Sequence, residues 1–173
     1  NNTTIEGNMR AAMASIIKSF QVAKEISADL IYFVEDDYIH KSECLAEMLF
    51  TYEKIASEIN EELFLCPVDY PYLYKSTENT NILIGHRYHW RTIKESLLTF
   101  MTSKKMLNKH WDLLMKMCTE EHAPFETPLH KIYENEVCLS PIPSLAIHCT
   151  NVNSVFGLSP NTNWKKIWDE NKV

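Results

Sequence analysis

The chain has 173 residues, 45% of them hydrophobic and 11% aromatic, which is enough for one globular domain with a sizeable core. Its formal net charge of −6 excludes the strongly basic surface that is typical of nucleic-acid-binding proteins. No apolar run reaches the roughly 18 residues of a membrane-spanning helix, so no transmembrane segment is expected.

The first half of the chain predicts helices alternating with strands. Apolar residues at three- and four-residue spacing predict a helix over Asn8–Ser27, and a buried strand follows over Asp29–Val34. The range Ser42–Ile59 reads as a second helix that has Ser42 as its N-cap. Another strand is expected over Leu63–Val68, and the polar Ser76–Thr80 segment is expected to be a loop.

The second half predicts shorter elements. Ser103 is expected to cap a helix whose apolar face includes Trp111, and a further short helix is expected over Leu129–Tyr133. Trp164 and Trp168 recur at helical spacing in the tail, and all three of these tryptophans are interpreted as core residues. Four short strands are expected, over Asn81–Gly85, Leu97–Thr102, Val137–Leu139 and Ser144–His148.

This alternation predicts an α/β fold with a mixed sheet. The five cysteines are widely spaced and form no C-x-x-C pair, which argues against a disulfide framework and a zinc ribbon. Most are therefore interpreted as small core residues. With no signal-peptide pattern at the N-terminus, the cysteine usage favours a reducing, cytoplasmic location.

The most informative stretch is the strand end where Ile31–Val34 runs into Glu35, Asp36 and Asp37. Three acids at the end of a buried strand are costly unless a partner neutralises them, and Mg²⁺ or Mn²⁺ suits such oxygen ligands. The chain has no glycine-rich phosphate loop, so phosphate binding would depend on a metal and side chains. The plainer alternative is a solvated acidic turn.

Four blocks of sequence, spread over about residues 8 to 168, together resemble one protein family. They are Tyr32–His40, Asp69-Tyr70-Pro71 with Tyr74, His89–Thr92 followed by Leu98–Met101, and Ser140–His148 with Leu158-Ser159-Pro160 and Trp164 downstream. In this order and spacing they are similar to bacterial and viral glycosyltransferase-like proteins of the GT-A fold, with Glu35-Asp36-Asp37 at the position of the D-x-D motif.

The resemblance implies a GT-A-like mixed sheet flanked by helices. Because a complete GT-A domain opens with a strand and loop that grip the nucleotide base, the first βα unit is expected to be missing here. Residues 1–173 are accordingly interpreted as one glycosyltransferase-like domain from a longer chain, a view that the lack of an initiator Met also favours.

The resemblance also implies roles for the acids and for a late histidine. Asp37 and His148 are the candidate ligands of Mn²⁺ or Mg²⁺, which would bridge the two phosphates of a nucleotide-sugar. Asp36 is expected to contact the sugar, the ribose or a metal-bound water. Glu35 is expected to contact the metal ligands without binding the metal itself. For His148 the alternative is a histidine at the edge of the core that bonds to the backbone.

An inverting transfer needs a carboxylate that takes the proton from the acceptor hydroxyl. In GT-A enzymes this acid usually opens a late helix, a position that Glu126 occupies, with Glu120 and Glu121 as rivals. The alternative for Glu126 is an acid that the helix dipole favours in a first turn.

Three further residues are candidates for substrate binding. Asp69 follows a strand at the same sheet edge and is expected to bind a hydroxyl of the acceptor. Arg91 is a candidate partner for a diphosphate, and Trp90 is a candidate for stacking on a sugar. The equally weighted alternative for this pair is a buried tryptophan beside a surface arginine.

The leading hypothesis is a metal-dependent glycosyltransferase that moves a sugar from a nucleotide-sugar to a hydroxyl of a glycan or polymer, with inversion. The alternative is a non-catalytic GT-A-like module of a larger protein that binds glycan or a partner chain. A nucleotidyltransferase or phosphoesterase ranks last, because such enzymes usually need a second cluster of metal-binding acids.

Overall fold

A computed structural model describes residues 2–26, 28–119 and 126–172 of the chain. The helices are α1 (Asn2–Glu25), α2 (Cys44–Ile59), α3 (Lys104–Lys109), α4 (Trp111–Thr119), α5 (Thr127–Tyr133) and α6 (Trp164–Glu170). The strands are β1 (Leu30–Phe33), β2 (Tyr38–His40), β3 (Leu63–Leu65), β4 (Ile82–Ile84), β5 (His89–Thr92), β6 (Phe100–Ser103), β7 (Val137–Ile142) and β8 (Ala146–His148).

Six of the strands form one mixed sheet in the order β1-β6-β3-β7-β5-β4. Strand β3 runs parallel to β7, whereas β6 is antiparallel to both of its neighbours, β1 and β3. Strands β1, β3 and β7 therefore point the same way and end at one edge, called the carboxyl edge below. This arrangement confirms the expected α/β class with a mixed sheet flanked by helices.

Helices cover both faces of the sheet, and the alternation of side chains along β3 shows why. Leu63 and Leu65 point to one face, where they pack with Met48 and Ile55 of α2. Phe64 points to the other face, where the buried apolar side chains come from α1, α3, α4 and α5. The sheet is thus the middle layer of three.

Local signals in the sequence predicted many of these elements. Ser103 accepts a hydrogen bond from the Met106 amide at 3.1 Å and so caps α3 as expected. The cap expected for α2 is wrong, since Glu43 occupies that position and the Ser42 hydroxyl donates to the Glu43 carboxylate. The expected single helix after Ser103 is divided at His110 into α3 and α4.

The sequence did not predict β2, which pairs with β8 in a separate two-stranded sheet. It also did not predict β5. The strand β1 was expected to be buried, but Ile31 is its only buried residue, because β1 lies at the edge of the sheet. The predicted end of α1 at Ser27 lies outside the described residues.

Two expectations about buried residues need correction. Trp164 and Trp168 are each about half exposed, because α6 buries only Ile167 against the rest of the molecule. Of the cysteines, Cys44, Cys66 and Cys138 are buried as expected, Cys149 is exposed, and the side chain of Cys118 lies outside the described part. Among the described residues, no helix is both long enough and apolar enough to cross a bilayer.

The hairpin of β4 and β5 is attached to α2 by a buried carboxylate. Glu47 is 2% exposed, and it accepts hydrogen bonds from the Arg87 and Tyr88 amides, the Thr51 hydroxyl and the Trp90 indole at 2.9 to 3.3 Å. Gly85 lies directly beneath the Trp90 ring, where a Cβ atom would lie 2.4 Å from the indole. The side chain of Trp90 is therefore held by the bond to Glu47 and by close packing against Gly85.

Replacing Glu47 with Ala should destabilise the protein strongly, because several buried donors would lose their acceptor. At about 1–3 kcal/mol for each buried unsatisfied group, we expect the free energy of unfolding to fall by about 3 kcal/mol or more. Urea denaturation measures this change. The matched control is Glu58→Ala on the exposed face of α2, which should stay within about 0.5 kcal/mol of the wild type.

Candidate functional site

The acids that follow β1 lie on the wall of a cleft at the carboxyl edge. Glu35, Asp36 and Asp37 face this cleft, whose volume is about 510 Å³. The opposite wall is the side of α1 that carries Ser15 and Ser19. A volume of this size falls in the range of about 300–1,000 Å³ that is typical of small-molecule sites. No lysine or arginine is among the described residues that line it.

The two residues expected to bind a metal lie in direct contact. The carboxylate oxygen Oδ2 of Asp37 is 3.0 Å from Nε2 of His148. Pairing of β2 with β8 brings them together, because Tyr38 lies opposite His148 and the Cys149 amide donates to the Asp37 carbonyl at 2.8 Å. This two-stranded sheet, which the sequence did not predict, thus joins two segments that are about 110 residues apart in the chain.

The environment of His148 fixes which ring nitrogen faces the acid. Nδ1 lies 2.8 Å from the Phe156 carbonyl oxygen, and since a carbonyl only accepts, Nδ1 carries the proton and donates. In the neutral ring, Nε2 then presents a lone pair toward Asp37. The ring also stacks on Tyr38 at 5.0 Å between centroids, and the Tyr38 hydroxyl lies 2.7 Å from that of Tyr70.

Two acceptors facing each other at 3.0 Å need a proton between them or a cation beside them. A protonated imidazole supplies the proton and forms an ion pair, whereas a divalent ion would lie to one side and be bound by both atoms. Adjacent ligands at right angles around an ion, each about 2.1 Å from it, are themselves about 3.0 Å apart. The bond from Nδ1–H to a backbone carbonyl is also the usual outer contact of a metal-binding histidine. Asp37 and His148 therefore fit a divalent cation.

This pair does not form a closed metal site by itself. Within the described residues, no group of three or more His, Cys, Asp and Glu side chains is arranged to hold an ion. Mg²⁺ and Mn²⁺ bound with substrate phosphates commonly use one or two protein ligands, with waters and phosphate oxygens supplying the rest. The donor set thus suits an ion that arrives with a phosphate ligand.

Glu35 lies deeper than the two aspartates and has a different environment. Its backbone amide donates to the Thr99 hydroxyl at 3.0 Å, and that hydroxyl lies 3.4 Å from its carboxylate. Burial, followed by the negative charges of Asp37 and Glu126, raises the pKa of Glu35 to about 7. This carboxyl group is therefore only partly ionised near neutral pH.

Glu126 is at the start of α5, as the sequence predicted, and it is 7% exposed. Its backbone carbonyl accepts from the Leu129 amide at 2.8 Å, while its side chain makes no capping bond to the helix. Its charge acts on Glu35, so the described structure brings the candidate base near the acidic strand end. The rival acids Glu120 and Glu121 lie outside the described residues.

Asp69 and Arg91 form a buried ion pair with each other. The Arg91 Nη2 and the Tyr74 hydroxyl each donate to one oxygen of the Asp69 carboxylate, and the guanidinium lies over the Tyr74 ring at 4.3 Å. The Asp69 amide donates to the Ser144 hydroxyl at 2.9 Å. Burial raises the pKa of Asp69 even though these partners favour its charged form.

Trp90 and Arg91 are neighbours on β5 and therefore point to opposite faces of the sheet. Trp90 is completely buried beneath α2, with its indole N–H directed at Glu47, so its ring faces neither the cleft nor solvent. This placement favours the alternative of a core tryptophan. Arg91, which is 8% exposed, differs from the surface arginine of that alternative.

Sequence reasoning missed several residues of the site. Tyr38 and Thr99 support His148 and Glu35, and Ser15 and Ser19 form the wall that faces the acids. The only local signal for Tyr38 is the similarity of Tyr38-Ile39-His40 and Ala146-Ile147-His148, two apolar-centred triplets that pair. Thr99 lies in one of the four blocks that resemble GT-A enzymes but was assigned no role, and the two serines carry no signal, because these contacts arise from the way the elements pack.

Comparison with known proteins gives no family assignment. No family model, curated protein or solved structure matches the chain.

The raised pKa of Glu35 predicts a pH dependence of stability. Between pH 4.5 and 7 the folded state binds more protons than the unfolded state, so the free energy of unfolding should fall as pH rises through this window. At about 1.4 kcal/mol per pKa unit, the fall is of order 2–3 kcal/mol. Urea denaturation across this pH range, without divalent cations, measures it.

Glu35→Gln removes the titrating group and keeps the shape of the side chain. We expect this variant to be more stable than the wild type at pH 8 and to show a flatter profile between pH 4.5 and 7. An unchanged slope in the variant would assign the pH dependence to other groups.

Proposed function

We propose that this chain is a metal-dependent glycosyltransferase domain that moves a sugar from a nucleotide-sugar to a hydroxyl of a glycan or other polymer. The observation that carries the proposal is the 3.0 Å contact between Asp37 and His148 on an acid-lined cleft. The resemblance of the four sequence blocks to GT-A glycosyltransferases supports it. The mixed sheet, whose carboxyl edge carries the acids, is compatible with that fold.

The negative charge of the cleft favours a substrate that binds together with a cation. Three carboxyl groups face the cleft without a lysine or arginine among its described lining residues, so a bare diphosphate would be repelled. Mn²⁺ or Mg²⁺ held by Asp37 and His148 would neutralise the charge that develops on a leaving diphosphate. Asp36, which is exposed on the same wall, is available to accept hydrogen bonds from sugar or ribose hydroxyls.

The remaining residues position and shield the substrate. Tyr38 stacks on His148, and the Phe156 carbonyl fixes its ring, so Nε2 stays directed at Asp37. On the opposite side, Ile16 and Phe20 of α1 supply apolar wall for the non-polar face of a sugar or base. Ser15 adds a hydroxyl that can donate and accept, whereas the Ser19 hydroxyl, which donates to the Ser15 carbonyl at 3.0 Å, is available as an acceptor.

Glu126 is the proposed base. In an inverting transfer, the acceptor hydroxyl oxygen attacks the anomeric carbon, its proton passes to the carboxylate, and the bond to the diphosphate breaks on the opposite face. Glu126 is 7% exposed, and its negative charge contributes to the raised pKa of Glu35.

Metal-dependent nucleotide binding tests the proposal directly. Calorimetric titration with UDP and GDP should show binding in the presence of Mn²⁺ and weaker binding in EDTA. Asp37→Asn keeps the shape of the side chain but removes the charge, and we expect it to weaken Mn²⁺-dependent binding by about tenfold or more. Asp112→Asn, on the exposed surface of α4, is the matched control.

Equal binding by Asp37→Asn and the control, with both variants folded by circular dichroism, would reject Asp37 as the metal ligand. Failure of the folded wild type to bind either nucleotide with Mn²⁺ would instead support a non-catalytic module.

Separating binding from chemistry tests the role of Glu126. We expect Glu126→Gln to leave Mn²⁺-dependent nucleotide affinity unchanged while it lowers the turnover of the matching nucleotide-sugar by about 100-fold or more. Release of nucleoside diphosphate with time measures turnover. Glu134→Gln at the other end of α5 is the control and should retain activity. Full activity of Glu126→Gln would exclude Glu126 as the base.

A further inference from the structure

The strand β4 lies at one end of the six-stranded sheet, so that it pairs with β5 on one side and leaves the other side open. Asn81 and Gly85, which flank it, form backbone hydrogen bonds across the hairpin at 3.0 and 2.9 Å. Because the direction of these groups alternates along an antiparallel strand, the backbone amides and carbonyls of Ile82 and Ile84 point away from β5, toward the open side.

Most of these outward backbone groups are unpaired. Among the described residues, the Ile82 amide, the Ile82 carbonyl and the Ile84 amide have no hydrogen-bond partner. The fourth group, the Ile84 carbonyl, accepts from Nζ of Lys54 on α2 at 2.9 Å. A carbonyl oxygen has two lone pairs, so this contact leaves place for a second donor. The open side of β4 can therefore pair with an added strand.

The side chains of β4 also favour contact with another strand. Leu83 lies opposite Trp90 and points with it toward α2, so Ile82 and Ile84 point to the other face of the sheet, where they are 52% and 65% exposed. The segment 81–85 contains no proline and no charged residue, which are the residues that commonly prevent edge strands from pairing with other chains.

The sequence of β4 is complementary to a second copy of itself. When two copies run antiparallel about a two-fold axis at Leu83, Ile82 of each copy lies opposite Ile84 of the other. The outward amide and carbonyl groups of these residues then face one another as donors and acceptors. The four isoleucine side chains meet on one face of the new strand pair, and such cross-strand apolar contacts stabilise a sheet.

Charged residues on either side of β4 fit the same pairing. Glu78 lies five residues before Leu83, Arg87 lies four residues after it, and both are exposed. An axis at Leu83 brings the loop that carries Glu78 in one copy next to the hairpin turn that carries Arg87 in the other, and the symmetry repeats this match. Opposite charges thus meet at both ends of the paired strands, which favours a second copy over an unrelated strand.

We propose that β4 pairs with β4 of a second copy of this chain, so that two six-stranded sheets join into one continuous sheet in a two-fold symmetric dimer. The acidic cleft lies beside β1, at the opposite end of the sheet, so the dimer leaves both clefts open. Dimer formation does not depend on the proposed transferase activity.

Sedimentation equilibrium over a range of protein concentrations measures this association. We expect a reversible equilibrium between monomer and dimer, without larger species, because each copy has one β4 edge and a two-fold axis closes the assembly. A chain that stays monomeric up to about 1 mM would overturn the proposal and leave the β4 edge to a strand of another protein.

Ile84→Lys places a charge among the isoleucines, and Val22→Lys places the same charge on α1, where Val22 is 43% exposed. We expect Ile84→Lys to raise the dissociation constant of the dimer by about tenfold or more and Val22→Lys to leave it unchanged. Both sites are exposed, and circular dichroism checks that both variants fold. Equal dissociation constants in the two folded variants would overturn the proposal.

Charge reversal distinguishes a second copy from any other partner. Glu78→Arg and Arg87→Glu each bring like charges together at both ends of the paired strands, and we expect each to raise the dissociation constant by about threefold or more. The double variant restores opposite charges and should return the dissociation constant to near that of the wild type. Single variants without an effect, or a double variant that does not recover, would overturn pairing about Leu83.

Discussion

The site depends on one constraint, which is that several acidic side chains lie close together at the carboxyl edge of the sheet. The charges of Asp37 and Glu126 act on Glu35, and burial of Glu35 makes this repulsion stronger than it would be in water. Their like charge opposes folding unless protons or a cation compensate it. Here the contact of Asp37 with His148 and the raised pKa of Glu35 are the two forms of compensation.

Among the described residues, the carboxylates of Glu47, Asp69 and Glu35 are removed from water to different degrees and have different partners. Glu47 receives donors from two backbone amides, a hydroxyl and an indole, so its charge is satisfied and its role is to hold a hairpin. Asp69 is paired with Arg91. Glu35 has a 3.4 Å contact with the Thr99 hydroxyl and a backbone hydrogen bond from Leu98, has no cation as a partner among the described residues, and faces a cleft. Such under-compensated acids in clefts are typical of functional sites.

Much of the fold was predictable, because the relevant signals are local. The cap at Ser103 and the sheet class follow from residue types and alternation within single elements. The placement of Trp164 and Trp168 was not predictable, since helical spacing shows that they share a face but not whether another layer covers it. Trp90 was ambiguous for the same reason, because its partner Glu47 is 43 residues away.

The candidate site was predictable in its residue types but not in its assembly. Asp37 was a candidate because it follows the end of a strand, and Glu126 was a candidate because the GT-A resemblance implies a base at the start of a late helix. The pairing that brings His148 to Asp37 could not be found, because strands of three residues give too few positions for alternation to stand out.

The register of β2 against β8 couples the site to the tail of the chain. A slip of one residue would turn the side chain of His148 to the other face and remove it from Asp37. Contacts on both sides oppose that slip, since Tyr38 is bonded to Tyr70, and Asn171 at the end of α6 donates to the His40 carbonyl at 2.9 Å. Helix α6 therefore has a structural role despite its exposed tryptophans, because it helps to hold His148 opposite Asp37.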